Sequence, residues 1–285
     1  MKFDNSIKLY ERGLKSIAGG VSSQIRIDEP ADVPLFFAKA KGSKIWDADG
    51  NEYIDYIQGM GPNIFGHAPD FIVQAVNLDM QNGFVFAGQH EKEVEVAEMA
   101  LEMIPMVDAS VRFASSGTEI DQLAIRLMRG YSGRNKYIKF EGHYHGWTDS
   151  VSYSVHPNLE YAGSLENPVP VFESMGIDSG TRDSIVTCQW NDLDLLEKAF
   201  TGNKGEIAGV IMEPILANSN CIYPNDGYLE GVKALCEANG SLLCFDEVIT
   251  GFRIAAGGAQ EVTKVIPDIA TYAKSMAGGF PIAML

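Results

Sequence analysis

Lys274 closes the apolar run Ile269-Ala-Thr-Tyr-Ala273 and opens the turn Ser275-Met-Ala-Gly-Gly279. A lysine brought by a strand to a glycine-rich turn either reaches into water or is held partly dry. In the second case burial lowers its pKa and makes it a nucleophile for a carbonyl. Asp246 ends another apolar run, Ser241-Leu-Leu-Cys-Phe245, and Ser116-Gly117-Thr118 opens a helix. Backbone N–H groups at a helix N-terminus, aided by the helix dipole, hold a phosphate, and the Ser116 and Thr118 hydroxyls add donors. Thr118 with Asp121 three residues on also reads as a capping box, compatible with that use.

Around these lie further residues that chemistry can use. Tyr144, in Phe140-Glu-Gly-His-Tyr-His-Gly-Trp147, follows a strand and is set between glycines, so its ring can lie flat on an aromatic ligand. His143 and His145 flank it, but no carboxylate or cysteine completes a ligand spacing, so no metal is expected. Glu247 is read as a helix N-terminal charge, and Val248 is placed against a ligand ring opposite Tyr144. A lysine, an acid and a phosphate cradle are the parts of a pyridoxal phosphate site. Asp246 against the pyridine nitrogen would keep that nitrogen protonated, and Lys274 would bind the aldehyde and then move the substrate's proton.

The elements that must position these groups are visible as periodicities. Residues 5–18 read as a helix ending at Gly19-Gly20. Leu35–Lys39, Lys44–Asp47 and Glu52–Ile57 read as short strands, and with the helix they form a small N-terminal unit over 1–65. From residue 66 helices alternate with apolar strands. Val94, Ala97, Leu101 and Ile104, then Ile120, Leu123, Ala124, Leu127 and Met128, mark helix faces. Val111–Ala114, Lys136–Phe140, Ile207–Met212 and Leu242–Phe245 are strands, and 228–239 is a helix. This order predicts an α/β domain over 66–285, a mostly parallel sheet flanked by helices, with its ligands beyond the strands' carboxyl ends. Glu213, Asp246 and Lys274 all fall there. Residues 150–182, rich in Pro, Gly and Ser, are expected to be a mobile cover. The run ending at Leu285 has no cap or turn signal, so the chain is expected to be truncated at its C-terminus.

Composition excludes other roles. The 285 residues are 46% hydrophobic and 21% charged with a net charge of −16, so the chain is globular and unsuited to nucleic acid or an anionic membrane surface. No apolar run reaches the roughly 18 residues of a membrane span, and no signal peptide is read at Met1-Lys-Phe-Asp-Asn-Ser. Cys188, Cys221, Cys236 and Cys244 form no CxxC pair and read as buried free thiols, which fits a reducing cytoplasm.

The motifs GGVSSQIR at 19–26, YIDY at 53–56, GHA at 66–68, VRFASSGTE at 111–119, IKFEGHYHGW at 138–147, MEP at 212–214, FDEVITGFR at 245–253 and AKSMAGGFP at 273–281 run through nearly the whole chain. On these the chain resembles the class III aminotransferases, fold-type I pyridoxal phosphate enzymes, in the branch containing glutamate-1-semialdehyde 2,1-aminomutase. The resemblance implies Lys274 as the Schiff-base lysine, Asp246 as partner of the pyridine nitrogen and Tyr144 as the stacking ring. Ser116, Gly117 and Thr118 would hold the phosphate, Glu213 and Asn218 would border ring and substrate, and Arg26 would meet a substrate carboxylate. It also implies a homodimer, a C-terminal small domain lying beyond Leu285, and as substrates an amine or amino acid with a keto acid or aldehyde. Residues 156–178 differ from the small-residue lid of the aminomutase, which favours an ordinary transaminase. The aminomutase is the alternative, and a non-catalytic cofactor-binding fragment is a third.

Overall fold

A computed structural model describes residues 1–27 and 34–285. Contacts divide them into two units, Met1–Ala87 and Gly88–Leu285. The division falls later than residue 65 because helix α2 (Asp70–Met80) groups with the strands before it.

In the first unit, α1 (Asp4–Gly13) is followed by the antiparallel strands β1 (Phe37–Lys41), β2 (Lys44–Asp47) and β3 (Glu52–Ile54). α1 is shorter than its periodicity predicts. It stops at Gly13, where a Cβ would stand 2.8 Å from the Gly20 carbonyl. Asp47 ties the sheet's turn, accepting from the N–H groups of Asp49 and Asn51 and from the Tyr53 hydroxyl at 2.7–3.0 Å.

The second unit runs α3 (Glu91–Met103), β4 (Phe113–Ala114), α4 (Gly117–Ser132), β5 (Lys136–Phe140), β6 (Gly163–Ser164), β7 (Asn167–Pro168), β8 (Ile185–Cys188), α5 (Leu193–Gly202), β9 (Ile207–Met212), α6 (Tyr228–Ala238), β10 (Leu242–Asp246), α7 (Gly258–Thr263), β11 (Ile269–Thr271) and β12 (Ala283–Met284). Five strands form one parallel sheet in the order β11-β10-β9-β5-β8. Both faces are covered, which is why β9 is buried at every residue and why its sequence is a continuous apolar run. Along β10 the side chains alternate. Leu243 and Phe245 pack with Leu229, Val232 and Cys236 of α6, while Cys244 packs with Ala124, Ile125 and Met128 of α4. Each such fully buried Leu, Ile, Val or Phe contributes about 1.5–3 kcal/mol. Gly209 lets α4 approach β9, since a Cβ there would collide with the Met128 sulfur and the Leu242 carbonyl.

The expected cover over 150–182 is corrected here. Part of 150–182 belongs to the core. Val151 and Tyr153 are fully buried against α4 and β5, and the buried Lys139 ammonium donates to the Tyr153 carbonyl at 2.7 Å. The apolar run at the chain's end is paired, β12 lying antiparallel to β4 and bridging Met284 to Tyr272. Cys188, Cys236 and Cys244 are buried free thiols as read, but Cys221 is exposed. Among the described residues no helix is long and apolar enough to cross a membrane.

Candidate active site

Because β5, β9, β10 and β11 are parallel, their carboxyl ends share one edge of the sheet, and the residues just past them meet there. α4 begins beside it. Ser116 caps α4, its hydroxyl oxygen accepting from the Glu119 N–H at 3.3 Å, while Glu119 reaches back to the Ser115 N–H at 2.9 Å. The capping box is therefore Ser116 with Glu119, not Thr118 with Asp121. The first helical turn leaves N–H groups without intrahelical partners. Those of Gly117 and Thr118 remain as donors for an anion.

Two close approaches lock the neighbouring loops onto this turn. A Cβ on Gly117 would meet Val248 at 3.3 Å, and one on Gly146 would stand 2.5 Å from the Thr118 hydroxyl and 2.8 Å from its Cα. Gly146 also has φ +102, a conformation L side chains rarely adopt. Gly146→Ala is expected to cost about 1–3 kcal/mol and to push the Tyr144 turn off α4. Gly142→Ala is the control, because Gly142 has φ +82 but no contact closer than 3.4 Å. Thermal melting and a cofactor-binding titration read the result. Strain alone would weaken both variants alike, whereas the collision predicts at least about tenfold weaker binding, or 1.4 kcal/mol, for Gly146→Ala only.

Glu213, past β9, is nearly buried and fully engaged. Its Oε1 accepts from Tyr144 N–H at 2.9 Å and Asn218 Nδ2 at 3.0 Å, and its Oε2 from the N–H groups of Ala217 and Asn218 at 3.0 and 3.3 Å. His143 supports it from behind, Nδ1 accepting the Glu213 N–H at 2.9 Å. Burial drives the His143 pKa well down, so the ring is neutral with its proton on Nε2. Burial and the Asp246 charge push the Glu213 carboxyl up. Tyr144 is 41% exposed and so within reach of a ligand.

Asp246, at the end of β10, is 4% exposed. Its Oδ1 accepts from the Val248 N–H at 2.9 Å and its Oδ2 lies 2.6 Å from His145 Nδ1. Asp121 of α4 is 1% exposed and accepts at Oδ1 from the Thr271 hydroxyl at 2.6 Å. One ligand atom each of Asp121, His145 and Asp246 lies within 4.8 Å of the others. Spacing along the chain does not reveal this trio, since its carboxylates come from other elements. The 2.6 Å between His145 Nδ1 and Asp246 Oδ2 is a hydrogen bond; tetrahedral ligands about 2.0–2.2 Å from a zinc ion sit roughly 3.3 Å apart.

Lys274 follows β11 in a 3₁₀ turn, with φ +44. Burial lowers its pKa from 10.5, against the charges of Asp246 and Glu213, which raise it. Glu247, read as a helix charge, does meet α7, accepting from the N–H groups of Ala259 and Gln260 at 2.6 and 3.2 Å. The second unit thus brings together Ser116, Gly117, Thr118, Tyr144, Glu213, Asn218, Asp246, Val248 and Lys274. Arg26 belongs to the first unit, exposed at the end of the 3₁₀ turn Gln24–Arg26. Sequence reading passed over His145 except as a metal ligand, and passed over Asp121 except as a cap.

This donor set suits pyridoxal phosphate. A dianionic phosphate matches the free N–H groups of α4, and a protonated ring nitrogen matches buried Asp246 among further acids. Residues 27–285 match the family Aminotransferase class-III, and the chain belongs to it.

The glutamate-1-semialdehyde 2,1-aminomutases of Methanosphaera stadtmanae and Methanocaldococcus jannaschii are each 44% identical over 285 residues, all of this chain. The chain spans 64% and 65% of their lengths. Among solved structures, an omega-transaminase from Sphaerobacter thermophilus is similar with TM-score 0.90 and 33% identity, over 98% of this chain and 63% of that one. A transaminase with PLP bound is similar with TM-score 0.90 and 28% identity, over 100% of this chain and 64% of that one.

Proposed function

We propose that the protein is an aminotransferase that moves an amino group between an amine or amino acid and a keto acid or aldehyde. The observation that carries this is the meeting of Lys274 and the doubly anchored Asp246 beside the open N-terminus of α4. Bound pyridoxal phosphate supplies an electron-poor ring that takes up the electron pair left when the substrate carbon loses its proton.

The chain's own residues do the rest. The N–H groups of Gly117 and Thr118 with the Thr118 hydroxyl hold the phosphate, and the Ser116 hydroxyl joins them by turning away from Glu119 Oε2, to which it donates at 3.1 Å. Asp246, fixed by His145 and Val248 N–H, faces the ring nitrogen and keeps a proton there. Tyr144 and Val248 border the ring, and Glu213 with Asn218 holds the Tyr144 turn in place. Lys274, its basicity reduced by burial, holds and returns a proton at Nζ. Arg26 is assigned to a substrate carboxylate on its chemistry, since a guanidinium pairs a carboxylate through two bonds.

We assign cofactor binding to the domain read over 66–285, through residues that all lie within the unit Gly88–Leu285, residues 1–65 to a smaller domain, and the protein to the cytoplasm. A homodimer is supported by the exposed Val94, Met99 and Met103 of α3, apolar surface that a second copy would cover.

Incubating the cofactor-loaded protein with single amino donors tests the reading, by assay of the released carbonyl product. Stoichiometric release with an external donor is expected. The aminomutase reading is favoured by the 44% identity to those relatives. It wins if glutamate-1-semialdehyde becomes 5-aminolevulinate without added donor, faster than any release.

A further inference from the structure

We propose that Asp121 is a positioning residue that retains one proton beside Asp246, so that Asp246 presents a single oriented charge to the cofactor's ring nitrogen. The inference rests on the pyridoxal phosphate reading of the site.

Asp121 occupies a core-facing position of α4, in line with Ile125 and Met128, and is as buried as they are. Around it stand Asp246 from the end of β10, His145 from the loop after β5, Thr271 from β11, Glu213 from beyond β9 and Lys274 from beyond β11. Among the described residues it makes no ion pair with a lysine or arginine within 4.0 Å. Two carboxylates this close in a dry site do not both ionise, so the pair holds a proton.

The hydrogen bonds decide which acid keeps it. Asp246 receives a backbone N–H at 2.9 Å and the His145 ring at 2.6 Å, both of which stabilise a charged carboxylate. Among the described residues Asp121 receives only the Thr271 hydroxyl, at 2.6 Å. The charge therefore rests on Asp246 and the proton on Asp121. In agreement, burial and then the Asp246 charge hold the Asp121 carboxyl well above the usual carboxylate range.

The protonated carboxyl is a donor where an ionised one would repel. It ties Asp246 to the helix whose N-terminus is assigned the phosphate, and through Thr271 to the strand that leads to Lys274. A ring nitrogen then meets one negative charge instead of two, and meets it in a fixed orientation.

Asp121→Asn mimics this state, since the amide can accept from Thr271 and donate to Asp246. Asp121→Leu keeps the volume and removes both bonds. Infrared spectroscopy of the cofactor-free protein at neutral pH should show a protonated carboxyl band that Asp121→Asn removes. A wild-type spectrum without that band overturns the proposal.

Thermal melting gives a second reading that needs no cofactor. An acid whose folded pKa is raised stabilises the fold fully below its unfolded value of 3.8, and that contribution is lost as pH rises through the folded pKa. The melting advantage of Asp121→Asn over wild type should therefore grow as pH rises above that value. A constant difference contradicts retention of the proton.

With cofactor, Asp121→Asn should match wild type within about twofold in affinity and keep the pH titration of the bound cofactor's absorbance. Asp121→Leu should move that titration by about one pH unit, equivalent to tenfold. If Asp121→Asn behaves like Asp121→Leu, the role is overturned even when the carboxyl band is present. If wild type binds no cofactor, the functional reading fails, while the infrared and melting results still decide where the proton lies.

Discussion

Replacing Lys274 by alanine or glycine should abolish covalent attachment of the cofactor and remove turnover, while the fold survives. Lys274 sits after β11 and outside the packed clusters, so its loss opens no core cavity. Its amine is the site's reactive nitrogen because burial lowers its pKa from 10.5, leaving more of it neutral than in an ordinary lysine. Proton transfer by a positioned side chain contributes about 10²–10⁴-fold, so at least that loss is expected, or about 3–5 kcal/mol of barrier. The two variants should differ in stability. Lys274 has φ +44, where a residue with a Cβ is strained by about 1–3 kcal/mol. Lys274→Gly relieves that strain and Lys274→Ala does not, so the glycine variant should melt higher. Hydride reduction followed by peptide mass analysis locates the attachment. Cofactor found on another lysine in either variant, or a glycine variant less stable than the alanine one, would sink the assignment.

The residues whose places at the strand ends were legible in the sequence share a physical signature. Glu213, Asp246 and Lys274 follow apolar runs, and strands buried on both faces are continuous in hydrophobicity, so their ends are legible. Ser116 was legible for the same reason, at a strand-to-helix junction. What escaped was polar and inside. Asp121 lies four residues before Ile125 and seven before Met128, a spacing that puts it on the buried face of α4. The helix face was traced through Ile120, Leu123, Ala124, Leu127 and Met128, of which Ile120, Ala124 and Met128 are buried and Leu127 is 43% exposed. A carboxylate at a core position is a signal, and reading Asp121 as a cap discarded it. Lys139 escaped similarly. In a strand covered on both faces alternate residues are buried too, and burial lowers this lysine's pKa to about 7. Val151–Val155 was assigned to a cover because so short a segment has no measurable periodicity. The pairing of His145 with Asp246 joins positions 101 apart, and nothing local in the chain encodes it.

Asp246→Asn should leave cofactor binding within about tenfold but lower turnover by about 10²–10³-fold, or roughly 2.7–4 kcal/mol. The phosphate is assigned to α4 and the ring's faces to Tyr144 and Val248, and the asparagine's amide oxygen can still accept from the Val248 N–H as Asp246 Oδ1 does at 2.9 Å. What changes is the charge facing the ring nitrogen. An amide cannot hold that nitrogen protonated, so the ring takes up the substrate's electron pair less readily, and the loss falls on kcat more than on KM. A uniform binding contact would produce the opposite split. The neighbours supply an independent reading. The Asp246 charge is the second cause, after burial, of the raised Asp121 pKa, and it also raises Glu213. Removing it should let both carboxyls ionise at lower pH. The protonated carboxyl band of the cofactor-free variant should then disappear at a lower pH than in wild type. An unchanged kcat would remove Asp246 from the chemistry. An unchanged carboxyl titration alongside a lost kcat would keep Asp246 as the ring's partner while separating it from Asp121.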